Sequence, residues 1–298
     1  PVPGTANGVI RKPGAHEDWQ FEARKGQRVI VEVHASRIGS PLDSFIEILD
    51  SRGKPLPWVM LQALARTFVA FRDHDSRTPG IRIETWSELA VNDWILIGNE
   101  LIRIRALPRN PDDDCRFFEE KGQRLGYYGT TPSFQTQGTP MYKVALRAPG
   151  SRIPSNGLPV VTLYHRNDDG GPGLGKDSRI VFDPPADGLY TIRVLDSRGE
   201  GSGQHAYRLT IRPPVPDFTV TWNVPATINK GSAAPVRVNV ERLDGFDGRI
   251  DLTLKGLPQG FEAPNSTIHA EDNSTSFSLY VAPEAKGTGQ GGHLDIVA

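Results

Sequence analysis

Over most of the chain apolar and polar positions alternate with a period of two, the spacing of a strand with one face in a core and the other in solvent. Trp19-Gln20-Phe21-Glu22-Ala23 alternates up to the turn Lys25-Gly26-Gln27, and Val29-Ile30-Val31-Glu32-Val33 beyond it is β-branched at nearly every position. Phe45-Ile46-Glu47-Ile48-Leu49 predicts another strand, closed by the turn Asp50-Ser51-Arg52-Gly53. Ile81-Arg82-Ile83-Glu84-Thr85-Trp86 and Leu101-Ile102-Arg103-Ile104-Arg105 alternate as well, while Trp94-Ile95-Leu96-Ile97 is apolar throughout, as in a strand covered on both faces. Only the stretch from Trp58 to Arg66 has helical local propensity, which leaves it open between helix and strand. Strands return at Arg179 to Phe182, Gly188 to Leu195 and Ala206 to Ile211. Four more follow, at Phe218 to Trp222, Val236 to Glu241, Ile250 to Leu254 and Ser276 to Val281.

Composition sharpens this picture. The 298 residues include 31 Gly and 25 Pro spread along the chain, so the elements between them are short, as strands joined by turns are. The length predicts two or three domains at roughly 100–150 residues each. Pro213-Pro214-Val215-Pro216 stiffens the chain at a natural boundary. A net charge of -1, from 34 basic and 35 acidic residues, gives no field to gather nucleic acid or an anionic membrane. No apolar run approaches the roughly 18 residues of a membrane helix, so no membrane insertion is expected in this segment. The one cysteine, Cys115, excludes an internal disulfide framework and a thiolate zinc cluster. A start at Pro1 and an apolar alternation running out at Leu294-Asp295-Ile296-Val297-Ala298 suggest that both ends are cut from a longer chain.

One stretch echoes another: Asp18-x-x-Phe21-x-x-x-Lys25-Gly26-Gln27-Arg28 recurs as Asp114-x-x-Phe117-x-x-x-Lys121-Gly122-Gln123-Arg124. Two larger sets of motifs stand in order along the chain. Asn7-Gly8-x-Ile10, Asp18-Trp19-x-Phe21, Lys25-Gly26-Gln27 and Ser40-Pro41-Leu42-Asp43 make the first. Asn167-Asp168-Asp169-Gly170, Asp177-Ser178-Arg179, Pro185-Ala186-Asp187-Gly188-x-Tyr190, Arg193-Val194-x-Asp196 and Tyr207-Arg208-Leu209 make the second. Together they resemble the two halves of a bacterial pre-peptidase C-terminal domain. That resemblance implies a jelly-roll-like β-sandwich appended to secreted peptidases and large surface proteins. Residues 58–158 then read as a β-rich insert between a first half at 1–57 and a second half at 159–213, tolerable because loop-closure cost grows only logarithmically with length. Residues 217–298 look like a bacterial immunoglobulin-like module, carried by Val240-Glu241-Arg242-x-Asp244-Gly245-Phe246-x-Gly248-x-Ile250, Gly256-Leu257-Pro258-x-Gly260-Phe261 and Thr267-Ile268.

The candidate chemistry is sparse. Asn167-Asp168-Asp169, Asp112-Asp113-Asp114 and Asp73-His74-Asp75 each put hard oxygen ligands on a short loop, which suits calcium, although the same residues serve turns. Relatives of the resembled domain include calcium binders. The expected calcium set is therefore Asn167, Asp168 and Asp169, completed by Asp177 or Asp50. No Gly-x-Ser-x-Gly elbow and no His-Glu-x-x-His pattern occurs among the seven histidines, so a non-catalytic role is expected. Gly170-Gly171-Pro172-Gly173-Leu174-Gly175-Lys176 lacks the spacing and hydroxyl of a phosphate loop and reads as a turn. In the insert, Tyr127, Tyr128 and Tyr142 stand beside small polar residues as a platform for a sugar or peptide, or as ordinary core tyrosines.

These readings converge on an adhesion, presentation or structural segment of a larger extracellular bacterial protein. It is expected to be secreted, periplasmic or at the cell surface, with an extracellular protein or polysaccharide and the rest of the parent chain as partners. One alternative is a calcium-dependent carbohydrate- or protein-binding accessory module of a secreted hydrolase. The other makes the insert a hydrolytic domain using Asp73, His74, Asp75 or the Asp112 to Asp114 cluster.

Overall fold

Backbone polar groups of a half-buried strand are satisfied by neighbouring strands, and here the alternating runs pair into antiparallel sheets throughout. The computed structural model describes residues 2–120, 122–171, 173–270 and 272–286, and the backbone of the strand Asp295–Val297. Lys121 of the repeated turn, Pro172 of the glycine-rich stretch, His293, and the terminal Pro1, Leu294 and Ala298 lie outside them. Among the described residues the fold is all-β, with sheets packed as sandwiches, and the one helical element is the 3-10 turn Ser36–Ile38. None of the described helices is long and apolar enough to cross a membrane. The chain divides into two compact units, Pro1–Pro213 and Pro214–Ala298.

In the first unit, two four-stranded sheets face each other. One orders Gly4–Val9, Ala206–Arg212, Val29–His34 and Arg179–Phe182; the other orders Arg166–Asn167, Ser44–Leu49, Gly188–Asp196 and His16–Ala23. Their inward residues share one core, in which Val29, Val31 and Val33 meet Tyr190, Ile192 and Val194 around the rings of Phe21, Phe182 and Tyr190. Each fully buried Val or Ile there contributes about 1.5–3 kcal/mol. None of its buried residues lies between 57 and 164.

The chain leaves this sandwich after Ser44–Leu49 and returns at Arg166–Asn167, and the residues between form a sheet of their own. It orders Val160–Tyr164, Pro57–Phe68, Pro140–Arg147, Trp94–Ile97, Glu100–Ala106, Cys115–Phe117 and Gly80–Ile81. The far edge curls back to the long strand through the bridge Val69 to Ile83, with Ala70 N donating to Arg82 O at 2.9 Å and Glu84 N to Phe68 O at 3.0 Å. All strands but Val160–Tyr164 therefore close into a barrel, filled by Ile81, Ile95, Ile97, Ile102, Ile104, Phe117 and Met141. Cys115 sits in this core, and burial, with Asp114 beside it, pushes its thiol up to about 12.

The long strand Pro57–Phe68 contains the stretch of helical propensity. It is a strand because Pro140–Arg147 and Val160–Tyr164 pair with it on either side, a tertiary demand that outweighs a local preference of tenths of a kcal/mol per residue. The continuously apolar Trp94–Ile97 is covered on both faces: Ile95 and Ile97 enter the barrel, while Leu96 and Trp94 join a second cluster outside it. Val160–Tyr164 pairs with the long strand, so these residues belong with the insert's sheet and not with the sandwich half expected from residue 159.

The repeated turns share backbone and not environment. Gly26 and Gly122 both adopt positive φ, 74° and 80°. Yet Arg28 pairs with Asp183 at the surface, whereas Arg124 is fully buried against Glu100.

The second unit is a sandwich as well. Asp217–Asn223, Ser232–Leu243, Ser274–Val281 and Phe261–Glu262 form one sheet, and Ser266–Ile268, Ile250–Lys255 and Asp295–Val297 the other. Val236, Val238, Val240, Phe277 and Leu279 pack against Ile250, Leu252, Leu254 and Ile268.

Candidate functional site: the seam between sandwich and insert

The segment from Tyr127 to Thr131 holds the insert to the sandwich. Tyr128 and Gly129 adopt consecutive left-handed conformations, φ 54° and 73°, which turn the chain sharply onto the returning strand. Gly129 is required by contact as well as by dihedral, since a Cβ there would overlap the carbonyl oxygen of Arg166. Asn167 Nδ2 donates to Gly129 O at 3.5 Å, and Thr131 Oγ1 donates to Asp168 Oδ1 at 2.7 Å. The tyrosines of the insert and the acidic loop of the sandwich, separate in sequence, thus meet along one seam.

Aromatic rings fill it. Trp58 stacks on His165 at 4.6 Å and takes the Tyr128 ring edge-on at 5.0 Å; His165 in turn meets Phe182 of the sandwich core at 5.0 Å. Trp94 contacts Tyr127 at 4.8 Å, and Arg103 lies over the Trp94 ring at 5.5 Å. Tyr142 packs against the same outer cluster as Tyr127 and Tyr128, so all three expected platform tyrosines come together, each half-buried. Burial lowers the His165 pKa to about 4, leaving it neutral, an apolar-flanked ring in a stack. Nothing in the sequence shows that Trp58, Trp94 and His165 meet the tyrosines, because they lie in separate segments that only strand pairing brings together.

The expected calcium ligands do not form one cage. Asp177 is fully buried, and its carboxylate accepts from the N–H groups of Ala35, Ser36 and Arg37 at 2.9, 2.7 and 3.3 Å and from Arg37 Nε at 2.6 Å. Burial pushes that carboxyl up, but these hydrogen bonds outweigh it and hold it below the usual range. Asp50 accepts from Arg52 N and Lys54 N at 2.8 and 2.9 Å, closing its own turn. It also lies beyond the far end of the strand whose Ile46 pairs with Asn167, roughly 13 Å away at the strand rise. The side-chain oxygen of Asn167 accepts from Arg179 N at 2.9 Å.

Asp168 already accepts from Thr131 Oγ1 and from Asp169 N at 3.0 Å, which leaves Asp169, with Asp43 close enough to matter. Burial, then repulsion from Asp168 and Asp43, raises the Asp169 pKa to about 6 against the pull of Lys176. Among the described residues no group of three or more His, Cys, Asp or Glu side chains is arranged to hold a metal ion. With Asn167, Asp168, Asp177 and Asp50 committed to protein donors, millimolar calcium is expected to leave the melting temperature within about 1 °C, where a site filled to ten times its Kd gives roughly 3–6 °C. Thermal scans with and without calcium decide it.

The residues of the hydrolytic alternative are each engaged. His74 is 3% exposed and its Nε2 accepts from Arg82 N at 3.0 Å, while its backbone bridges Gln135. Burial first, then Arg72, lowers its pKa, which agrees with Nε2 acting as an acceptor. Asp73 accepts from Gln137 N at 2.8 Å and Asp75 from Arg77 N at 2.7 Å. Asp113 pairs with Arg109 at 2.8 Å, Asp114 with Arg72 and Arg82 at 2.9 and 3.0 Å, and the exposed Asp112 lies 3.6 Å from Arg82 Nη1.

Chemically, the seam fixes one folded body on another and leaves aromatic faces partly open. A comparison with models of known protein families gives no match for this chain, and a comparison with curated proteins gives none either.

Proposed function

We propose that this chain is a non-catalytic presenting segment of a larger extracellular bacterial protein, in which the first sandwich holds the inserted barrel out as a binding surface. The observation that carries the reading is the seam: a barrel with its own core is docked through Gly129, Thr131 and a ring stack, at the cost of a left-handed tyrosine. Such rigidity lowers the entropy lost when a partner binds. The barrel also exposes apolar side chains at its loops, Phe71 by 69% and Phe134 by 60%, the kind of anchor an interface uses. Phe71 is held at φ 64°, a strained conformation for a bulky residue. The order of motifs in 1–57 and 159–213 supports a kinship of the sandwich with pre-peptidase C-terminal domains, and the turn motifs after 217 a kinship of the second unit with bacterial immunoglobulin-like modules. Both kinships favour a secreted, periplasmic or cell-surface location.

The test is retention on immobilised cellulose, chitin, pectin and collagen. At least one should retain the intact chain saturably, and the pair Phe71→Ala with Phe134→Ala should weaken retention about tenfold. Retention by none of the four, or cleavage of the polymer during incubation, would overturn the reading.

A further inference from the structure

Strand pairing leaves one long edge open on the first sandwich. His16–Ala23, of eight residues, is the outermost strand of its sheet and pairs with Gly188–Asp196 without a bulge. Among the described residues it makes no other backbone hydrogen bond, so half of its N–H and C=O groups point away from the sheet unmatched. The other edges of the two sandwich sheets are shorter: Gly4–Val9 of six residues, Arg179–Phe182 of four and Arg166–Asn167 of two. The residues that usually guard an edge are missing, for the strand holds no Pro, Gly or Lys. Its inward-facing charge, Glu17, is already satisfied, since Oε2 accepts from Tyr207 Oη at 2.6 Å and from Val9 N at 3.2 Å.

From this geometry we propose that His16–Ala23 is a dimer edge, pairing antiparallel with the same strand of a second copy about a two-fold axis perpendicular to the sheet. The charges along the strand select this occupant. His16, Asp18, Gln20 and Glu22 are exposed on the outer face, while Trp19, Phe21 and Ala23 pack toward the core. Such an axis keeps each face on its own side, so outer residues oppose outer residues. Two registers meet this condition and leave a single residue of the strand unpaired. The first centres on Gln20 and sets Asp18 against Glu22 twice, like against like. The second centres on Trp19 and sets His16 against Glu22 twice and Asp18 against Gln20 twice, a donor facing a carboxylate at every outer position. Asp18 keeps its two-pronged bond to Arg193, at 2.9 and 2.8 Å, on the side away from the axis. The strand is thus complementary to itself in one register and repels itself in the other. A dimer displays two inserted barrels, which strengthens attachment to a repetitive partner through avidity, whatever the barrel binds.

Sedimentation velocity of the intact chain, from about 1 to about 200 µM, tests the assignment, and a reversible dimer should form within that range. His16→Glu sets two like-charged pairs against the second copy's Glu22 and should weaken dimerisation about tenfold. Combining it with Glu22→Lys recreates an attractive pair at the same two places and should restore the parent's dimerisation. Both substitutions are on exposed side chains, and an unchanged melting temperature shows that each variant folds. A monomer at every concentration, as expected if the edge takes an extended peptide from another protein, would overturn the proposal. So would dimerisation that ignores His16→Glu, or that the double variant fails to restore.

Discussion

Glu100→Ala should cost the inserted barrel about 3–5 kcal/mol, the price of stranding a buried charge. Both side chains of the Glu100–Arg124 pair have no solvent exposure, and their closest approach is 3.1 Å. Arg124 also donates to Asp75 O, Thr78 O and Ser133 O at 3.0, 2.6 and 2.9 Å, and Glu100 Oε2 accepts from Ser133 N at 2.7 Å. One guanidinium thus ties two loops to a barrel strand, and without Glu100 it remains buried with carbonyl acceptors but no countercharge. Burial pushes the Glu100 carboxyl above its usual range against the pull of Arg124. Glu100→Gln, which keeps the acceptor and the shape, should cost less than Glu100→Ala. Hydrogen exchange is the readout: amides of Glu100–Ala106 and Pro140–Arg147 should lose protection while those of Val29–His34 keep theirs. A loss under about 1 kcal/mol would mean that water reaches the pair.

Excising the insert should leave the first sandwich folded. Entry and exit are neighbours, since His165 N donates to Leu56 O at 3.0 Å and Tyr164 pairs with Pro57. Leu56 can therefore be joined to His165 through an Asn-Gly turn without stretching either strand. No buried residue of the sandwich core is removed. What is lost is the Trp58 ring over His165 and the Thr131 bond to Asp168, so the melting temperature should fall by a few degrees while the transition stays cooperative. Circular dichroism followed through urea unfolding would show this; a broad, non-cooperative loss of signal would mean that the sandwich depends on its insert.

The alternation of side chains was enough to establish an all-β chain and to locate most of its strands, because burial on one face of a pleated strand imposes a period of two whatever lies opposite. It also marked Trp94–Ile97 as covered on both faces, for continuous apolarity has no other stable use in a short strand. Tertiary structure alone decided that Trp58 to Arg66 is extended, that Val69 meets Ile83 to close a barrel, that Arg124 is a buried partner of Glu100, and that Thr131 reaches Asp168. It likewise spent Asp177 on the amides of Ala35 to Arg37, where the string of acids alone suggested a free ligand. Such contacts join residues tens of positions apart, and a pairing between distant segments leaves no periodic trace in either of them; it exists only once the chain has folded and removed the competing water.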